Sequence, residues 1–180
     1  MAKFSFETAV DIQAPQEQVY NYVADFPRHT EWNHQPQQMT PLTSGPTRVG
    51  SQYKTEEDMP SNMPTMQKLM FRVMMPVLKM MHKFEGYTVA EITALEPNER
   101  VAWTAHMPNK QGKKLMQMHW ELRMQGENGA TKVIQRCEID PPADSPFIKM
   151  VNEDAAKTTE AESTANLARL KSVVESRTNQ

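Results

Sequence analysis

The segment from Leu115 to Met124 alternates apolar and polar residues more cleanly than any other in the chain, and no other feature constrains the fold as strongly. One parity holds Met116, Met118, Trp120, Leu122 and Met124, and the other holds Gln117, His119, Glu121 and Arg123. A repeat of two residues is that of a β-strand with one apolar face and one solvated face. Because antiparallel sheets can leave one face in water, the pattern predicts such a sheet packed on a core.

Shorter forms of this alternation predict six further strands. They cover residues 4–12, 37–43, 49–57, 87–95, 100–107 and 131–139. Two short helices are predicted between the first two strands, starting at Ala14-Pro15 and ending near Asn33, because proline is favoured in a first helical turn. Ser145-Pro146 predicts the start of a long helix that runs to about Glu175. We expect one domain over residues 1–180, which is long enough for a sizeable core.

A methionine-rich segment interrupts this pattern between Met59 and Lys83. It holds eight of the chain's fifteen methionines, and at helical pitch most of them project within one sector. Burying one methionine contributes roughly 1.5–3 kcal/mol, so such a stripe needs an apolar partner. Pro76 should kink or end the helix because it removes a backbone donor. We predict an amphipathic helical insertion between the third and fourth strands.

Charge is distributed unevenly along the chain. Residues 59–83 contain four Lys or Arg and no acid, so the remainder carries −6 within an overall charge of −2. A nucleic-acid binder would spread its basic residues over a face with stacking aromatics, so we expect no nucleic-acid partner. The apolar run from Val73 to Leu78 is too short to span a bilayer. Residues 1–7 lack the apolar core and cleavage site of a secretory signal, so we expect a cytoplasmic protein.

Motifs for the common cofactors and metals are missing from the sequence. There is no phosphate-binding loop, G-x-G-x-x-G, G-x-S-x-G or H-E-x-x-H. The single cysteine, Cys137, allows neither an internal disulfide nor a cysteine cage for a metal. His29-Thr30-Glu31 matches the start of a zinc deaminase signature, but the Pro-Cys-x-x-Cys that would supply thiolates is missing. We predict no cofactor and no metal.

Four segments resemble the START/polyketide cyclase superfamily (SRPBCC, helix-grip), and in particular its polyketide cyclase/dehydrase-like branch. Phe6 to Tyr20 resembles the superfamily's opening strand and alanine-proline helix start, and Asp25 to Trp32 is similar to its "D…W" second helix. Val89 to Trp103 is similar to its central hairpin, and residues 129–133 fit its last strand. The resemblance implies an α+β helix-grip fold, in which a curved antiparallel sheet of about seven strands wraps a long C-terminal helix. It also implies an apolar cavity between sheet and helix, open at one end.

Side chains that point into such a cavity are the candidate ligand contacts. Alternation along the fifth and sixth strands directs two tryptophans and two methionines inward, where they either pack as core or contact a ligand. Methionines of the insertion could line the same space, because flexible thioethers adapt to varied ligand shapes. The predicted ligand-binding residues are Trp32, Tyr53, Met66, Met70, Met74, Trp103, Met116, Met118, Trp120 and Phe147.

An acid or base for catalysis would have to lie in this cavity too. The weak candidates are Glu91, Tyr53 and Tyr87. Burial would raise the pKa of Glu91, if its predicted inward parity is right, and let it act as an acid or base. The parity of Tyr87 stays open, because Val89 and Ile92 cannot both face inward on an unbulged strand.

Other reactive side chains are predicted to have structural roles. Cys137 shares the inward parity of Gln135 and is expected to be a small buried hydrophobe, because no base or oxyanion site accompanies it. His106 and His119 fall on the outward parities of their strands and are expected at the surface.

Three functions remain open on the sequence alone. The first is binding or transport of an apolar or amphipathic small molecule, lipid- or polyketide-like, with residues 59–83 as a lid. The second is an interaction module, in which the same segment forms a homodimer or a peripheral membrane contact. The third is a cyclase or dehydratase-type enzyme that uses the cavity. It ranks below binding because no catalytic triad is recognisable.

Overall fold

The computed structural model describes residues 4–33, 37–57, 85–112, 114–140 and 146–178. The strands are β1 (Phe4–Ile12), β2 (Gln37–Pro41), β3 (Gln52–Glu57), β4 (Thr88–Glu96), β5 (Arg100–Pro108), β6 (Lys114–Glu127) and β7 (Ala130–Ile139). The helices are α1 (Gln16–Ala24), α2 (His29–Trp32) and α3 (Pro146–Thr178), with a 3-10 turn (Phe26–Arg28) directly before α2. The strands form one antiparallel sheet in the order β1-β7-β6-β5-β4-β3-β2. With α3 packed on it, this is the helix-grip arrangement that the resemblance implied.

The element bounds differ from the predicted ones mainly at the first hairpin. β2 ends at Pro41 and β3 begins at Gln52, because the backbone amides of Leu42 and Thr43 both donate to the Gln52 carbonyl and close the turn early. β6 is longer than predicted and reaches Glu127. The predicted helical insertion at residues 59–83 lies outside the described residues.

Two left-handed turns set the register of the central strands. Asn128 and Gly129 have φ angles of 51° and 82°, as a type I′ turn requires, and this turn matches the right-handed twist of the strands that it joins. It pairs Glu127 with Ala130 and thereby fixes the β6–β7 register. Asn98, with φ of 66°, turns the chain between β4 and β5.

The core lies between α3 and the inner face of the sheet, which we define as the face that carries Trp103, Leu122 and Val133. Leu122 and Val133 are fully buried there. From the helix, Leu167, Leu170 and Val174 pack into the same cluster, each at most 1 % exposed. Burial of each such side chain contributes roughly 1.5–3 kcal/mol, so the second half of α3 is held mainly by apolar packing.

Polar side chains of α3 also reach the end of β1. Lys171 donates to the backbone carbonyl of Asp11, and the Glu175 carboxylate accepts from the backbone amide of Gln13 at 2.7 Å. Lys171 and Glu175 pair with each other at 3.1 Å. The bond from Gln13 is the main reason that the pKa of Glu175 is lowered. No helix in the described part of the chain is long and apolar enough to cross a bilayer.

Candidate functional site: the cavity on the inner face

A cavity of about 160 Å³ opens between the inner face of the sheet, the α2 region and α3. Its apolar lining comes from four strands and the α2 region, and includes Phe26, Trp32, Met39, Trp103, Met118 and Trp120. An apolar cavity of about 150 Å³ can hold a molecule the size of benzene. The volume therefore suits one aromatic ring, or the end of a longer molecule.

Aromatic rings form a continuous series along this cavity. Trp103 and Trp120, on neighbouring strands, stack with ring centres 6.0 Å apart and planes 10° from parallel. Phe26 packs edge-on against Trp103 at 5.4 Å, and Phe6 meets the far side of Trp120 at 6.0 Å. Each such pair contributes about 0.5–1.5 kcal/mol beyond its burial, so the series is a rigid apolar surface.

His29 lies within this aromatic series, at the start of α2. Its ring centre is 4.3 Å from Phe26, 4.7 Å from Trp32 and 5.2 Å from Trp103. Burial lowers the pKa of His29 from 6.5 to about 4, so the ring is neutral near pH 7. Nε2 is 2.9 Å from the Val23 carbonyl, which can only accept. We therefore assign the proton to Nε2, which leaves Nδ1 as the acceptor nitrogen.

Trp32 lines the same side of the cavity and carries an unused donor. The side chain is 3 % exposed, and within the described part of the structure its Nε1 is buried with no hydrogen-bond partner. A buried donor without a partner costs about 1–3 kcal/mol, so native proteins contain few of them. This nitrogen is the least satisfied polar atom on the cavity lining that the structure describes.

A polar contact joins the sheet to α3 beside the cavity. Gln135 lines the cavity from β7, as its predicted inward parity required, and its side-chain oxygen accepts from the Ser163 hydroxyl at 2.6 Å. The same hydroxyl lies 2.8 Å from the Thr8 hydroxyl on β1. The polar groups of Thr8, Gln135 and Ser163 are therefore hydrogen-bonded to one another, and this contact fixes the helix over the cavity.

Tyr53 is buried but its hydroxyl is already engaged. The ring packs 5.0 Å from Phe26, and the phenol oxygen is 2.7 Å from the Thr47 hydroxyl in the β2–β3 connection. The pair ties that connection to the core. This contact gives Tyr53 a structural role and leaves its predicted ligand contact and catalytic role without support.

The predicted inward parity of Glu91 is wrong. Ala90 and Ile92 face the core, so Glu91 lies on the opposite face of β4, where its carboxylate accepts from the Gln52 amide at 2.9 Å. Tyr87 shares that outer face, and its ring lies 4.8 Å below the Lys54 ammonium. β4 does carry a bulge, but it falls between Ile92 and Ala94, beyond Glu91, so it does not turn this carboxylate inward.

Cys137 is fully buried beside Phe6 and Ile139. Burial, with a smaller contribution from Glu138, raises the pKa of the thiol to about 12, so it is protonated near pH 7. A protonated thiol in an apolar cluster is a poor nucleophile. The observed environment matches the predicted role as a small buried hydrophobe.

Of the ten predicted ligand contacts, the structure brings four to this cavity: Trp32, Trp103, Met118 and Trp120. Met116 belongs to β6 and Phe147 to the first turn of α3, but both side chains lie outside the described part of the chain. Met66, Met70 and Met74 lie outside the described residues altogether. Their contact with a ligand stays a prediction.

The outer face of the sheet carries a different kind of concavity. A groove of about 260 Å³ there is lined by Thr104, His119, Arg136 and neighbouring charged residues. Side chains near this groove contact one another: Arg136 binds Glu138 at 2.7 Å, and the His119 ring nitrogen Nε2 lies 3.0 Å from the Asp140 carboxylate. No group of three potential metal ligands occurs among the described residues.

His29 is a site residue that was not among the predicted ones, although the sequence carries a signal for it. Phe26, His29 and Trp32 recur at a spacing of three, which places residues on one side of a helical segment. The zinc signature that His29 begins is incomplete and does not point to this role. The ring's neutrality depends on burial by residues far along the chain, which the local pattern does not contain.

Comparison with known proteins agrees with this geometry. Residues 3–175 match the family model described as polyketide cyclase / dehydrase and lipid transport. No curated protein sequence matches the chain.

Solved structures share the fold at low sequence identity. The Zhui aromatase/cyclase from Streptomyces sp. R1128 superposes with a TM-score of 0.69 at 13% identity, over 98% of this chain and 96% of that one. Protein CV1439 from Chromobacterium violaceum has a TM-score of 0.61 at 16% identity, over 95% and 97%. Ara h 8.0201 has a TM-score of 0.61 at 12% identity, over 97% and 99%. The helix-grip topology and the cavity under α3 agree with the family match along nearly the whole chain. The protein belongs to the polyketide cyclase / dehydrase and lipid transport family.

Proposed function

We propose that this protein binds an apolar or amphipathic small molecule in the cavity on the inner face of the sheet. The observation that carries the proposal is the aromatic lining of the cavity, in which Trp103, Trp120 and Met118 present apolar surface beside an open volume. Family membership supports binding of hydrophobic molecules in general. The volume admits one ring or one end of the ligand, so a larger ligand would extend beyond it.

Binding is favoured over catalysis because the candidate catalytic acids and bases do not line the cavity with a free polar group. Glu91 and Tyr87 lie on the outer face, and the Tyr53 hydroxyl is engaged with Thr47. A cyclase or dehydratase would need another group. His29 keeps Nδ1 as an acceptor, but burial lowers the pKa of the ring to about 4, which makes it a weak base. The role of residues 59–83 as lid, dimer interface or membrane contact stays a prediction.

A cavity-filling substitution tests the proposal. Ala105 lines the cavity from β5 and is 6 % exposed, whereas the residue directly before it, Thr104, faces the outer groove. Ala105→Phe should place a ring in the ligand volume, and Thr104→Phe should place the same ring outside. We expect the neutral fluorescent probe N-phenyl-1-naphthylamine to bind the wild type and Thr104→Phe, and to lose binding to Ala105→Phe.

Native mass spectrometry of the purified protein, followed by solvent extraction, supplies a second measurement. We expect an apolar molecule to copurify with the wild type and with Thr104→Phe. Equal probe binding by both variants would place the ligand elsewhere, and no binding by the wild type, with no extractable molecule, would refute the proposal. Circular dichroism controls for folding of the Ala105→Phe variant.

A further inference from the structure

We propose that the indole N–H of Trp32 is the polar anchor of the cavity, and that the ligand presents to it an uncharged oxygen acceptor, a carbonyl or hydroxyl. This inference rests on the proposed function and names the chemical class of the ligand. Trp32 lines the cavity, is almost fully buried, and keeps Nε1 without a partner among the described residues.

Neighbouring contacts hold this donor in place. Trp32 is the last residue of α2, and its ring packs 4.7 Å from His29, which is itself bonded to the Val23 carbonyl at 2.9 Å. Both side chains are more than nine-tenths buried. Because the His29 proton is used by Val23, His29 cannot donate from Nε2 to a ligand or to Trp32. The indole N–H is thus a buried donor, held in a fixed position, on a residue that lines this side of the cavity.

The electrostatics of the lining select an uncharged acceptor. Among the described residues that line the cavity, none is Lys, Arg, Asp or Glu. His29 gives no compensating positive charge near pH 7, because burial keeps its pKa at about 4. A carboxylate moved from water into such a site would lose its hydration without gaining a counter-ion from any described lining residue, which is strongly unfavourable. A carbonyl or hydroxyl oxygen meets no such penalty.

Three single-ring probes of nearly equal shape separate these possibilities. Acetophenone carries a carbonyl, α-methylstyrene replaces that oxygen with a methylene, and benzoate is anionic. We expect acetophenone to bind about three- to tenfold more tightly than α-methylstyrene, the usual effect of one net hydrogen bond, and benzoate to bind most weakly. Isothermal titration calorimetry on the full-length protein measures all three.

Substitution of single tryptophans identifies the donor. Trp32→Phe removes the N–H and keeps an aromatic ring. It should lower the affinity for acetophenone to that for α-methylstyrene, and leave the affinity for α-methylstyrene almost unchanged. Trp120→Phe is the matched control, because Trp120 lines the same cavity and its nitrogen is not among the buried unpaired atoms of the described residues. It should alter the affinities for the two probes by the same factor.

A spectroscopic measurement on the wild type keeps the test independent of any variant's folding. The chain has three tryptophans, so a ¹⁵N-labelled sample gives three indole N–H signals, which the Trp→Phe variants assign. Acetophenone should move the Trp32 signal to lower field, whereas α-methylstyrene should not. Equal shifts with both probes, equal weakening of both by Trp32→Phe, or tighter binding of benzoate would overturn the inference and leave the proposed function standing. Failure of every probe to bind would count against both.

Discussion

The inner and outer faces of the sheet are built from alternate residues of the same strands, yet their chemistry is opposite. On β6, Leu122 is fully buried in the core, whereas the next residue, Arg123, is exposed and paired with Glu121. On β4, Ile92 is 1 % exposed and Glu91 on the other face binds Gln52. A shift of one residue therefore decides whether a side chain belongs to the cavity or to the solvent.

The faces also differ in what holds them. The inner face is held by apolar burial and stacked rings. The outer face is held by partly exposed ion pairs, such as those of Arg100 with Glu96 at 2.7 Å and with Glu121 at 3.0 Å. Partly exposed pairs of this kind contribute about 0–1 kcal/mol each. Stability and ligand recognition should therefore depend on the inner face, and the outer face should tolerate change.

The largest expected contrast is between two adjacent residues of β6. Leu122→Ala should lower the free energy of unfolding by about 2–5 kcal/mol, because it leaves a void in the core. Arg123→Ala, one residue away on the outer face, should lower it by less than about 1 kcal/mol. Urea unfolding followed by circular dichroism measures both, and similar losses would contradict the assignment of the two faces.

His29 should make the inner face sensitive to acid. Its pKa is 6.5 in the unfolded chain and about 4 when buried, so the unfolded chain binds the extra proton between these values. The stability that comes from burying His29 as a neutral ring is fully present above pH 6.5. It is lost as the pH falls towards about 4, and the free energy of unfolding then falls by about 3 kcal/mol in all.

His29→Phe isolates this contribution, because carboxylates elsewhere titrate equally in both proteins. The unfolding free energy of the wild type minus that of the variant should fall as the pH falls through this window. A difference that is constant from neutral pH to about pH 4 would show that His29 is not buried as a neutral ring.

A smaller effect is expected where α3 meets the sheet beside the cavity. Ser163→Ala removes the donor to Gln135 and the partner of Thr8, and should destabilise the fold by about 1–3 kcal/mol because buried Gln135 is left unsatisfied. Thr164→Ala is the control, since that exposed hydroxyl donates to the Glu160 carbonyl of its own helix. Equal thermal stability of the two variants would argue against an anchoring role for Ser163.

The smallest effect is expected at Glu91 on the outer face. Glu91→Gln keeps a partner for Gln52 and should change stability by no more than about 0.5 kcal/mol. It should also leave the affinity for N-phenyl-1-naphthylamine unchanged, because the side chain does not reach the cavity. A clear loss of probe binding would restore the carboxylate as a site residue.

Sequence alternation predicted the architecture and much of the inner face, but it failed where a strand carries apolar residues on both parities. β6 alternates strictly from Met116 to Met124, so Trp120 and Leu122 could be placed without a structure. Cys137 could be placed from the parity that it shares with Val133 and Ile139 on β7. β4 has Val89, Ala90 and Ile92 in close succession, and both parities look apolar. Packing against β5 decides between them, and no local pattern encodes that choice.

The properties of the site residues were less predictable than their positions. Trp32 could be named from its motif, but its unpaired nitrogen depends on everything packed around it. The same is true of the low pKa of His29, which arises from burial by Phe26, Trp32 and Trp103. Desolvation depends on tertiary packing, so it becomes visible only once distant segments are placed together.

The contacts of Lys171 and Glu175 with the end of β1 concern the solubility of the protein as well as the position of α3. β1 is an edge strand of an open sheet, and the free backbone groups of such a strand are a template for pairing with another chain. At this end, the Asp11 carbonyl and the Gln13 amide are already occupied by the helix. The helix that covers the cavity therefore also occupies this end of the β1 edge, and undocking it would expose the cavity and these two backbone groups at once.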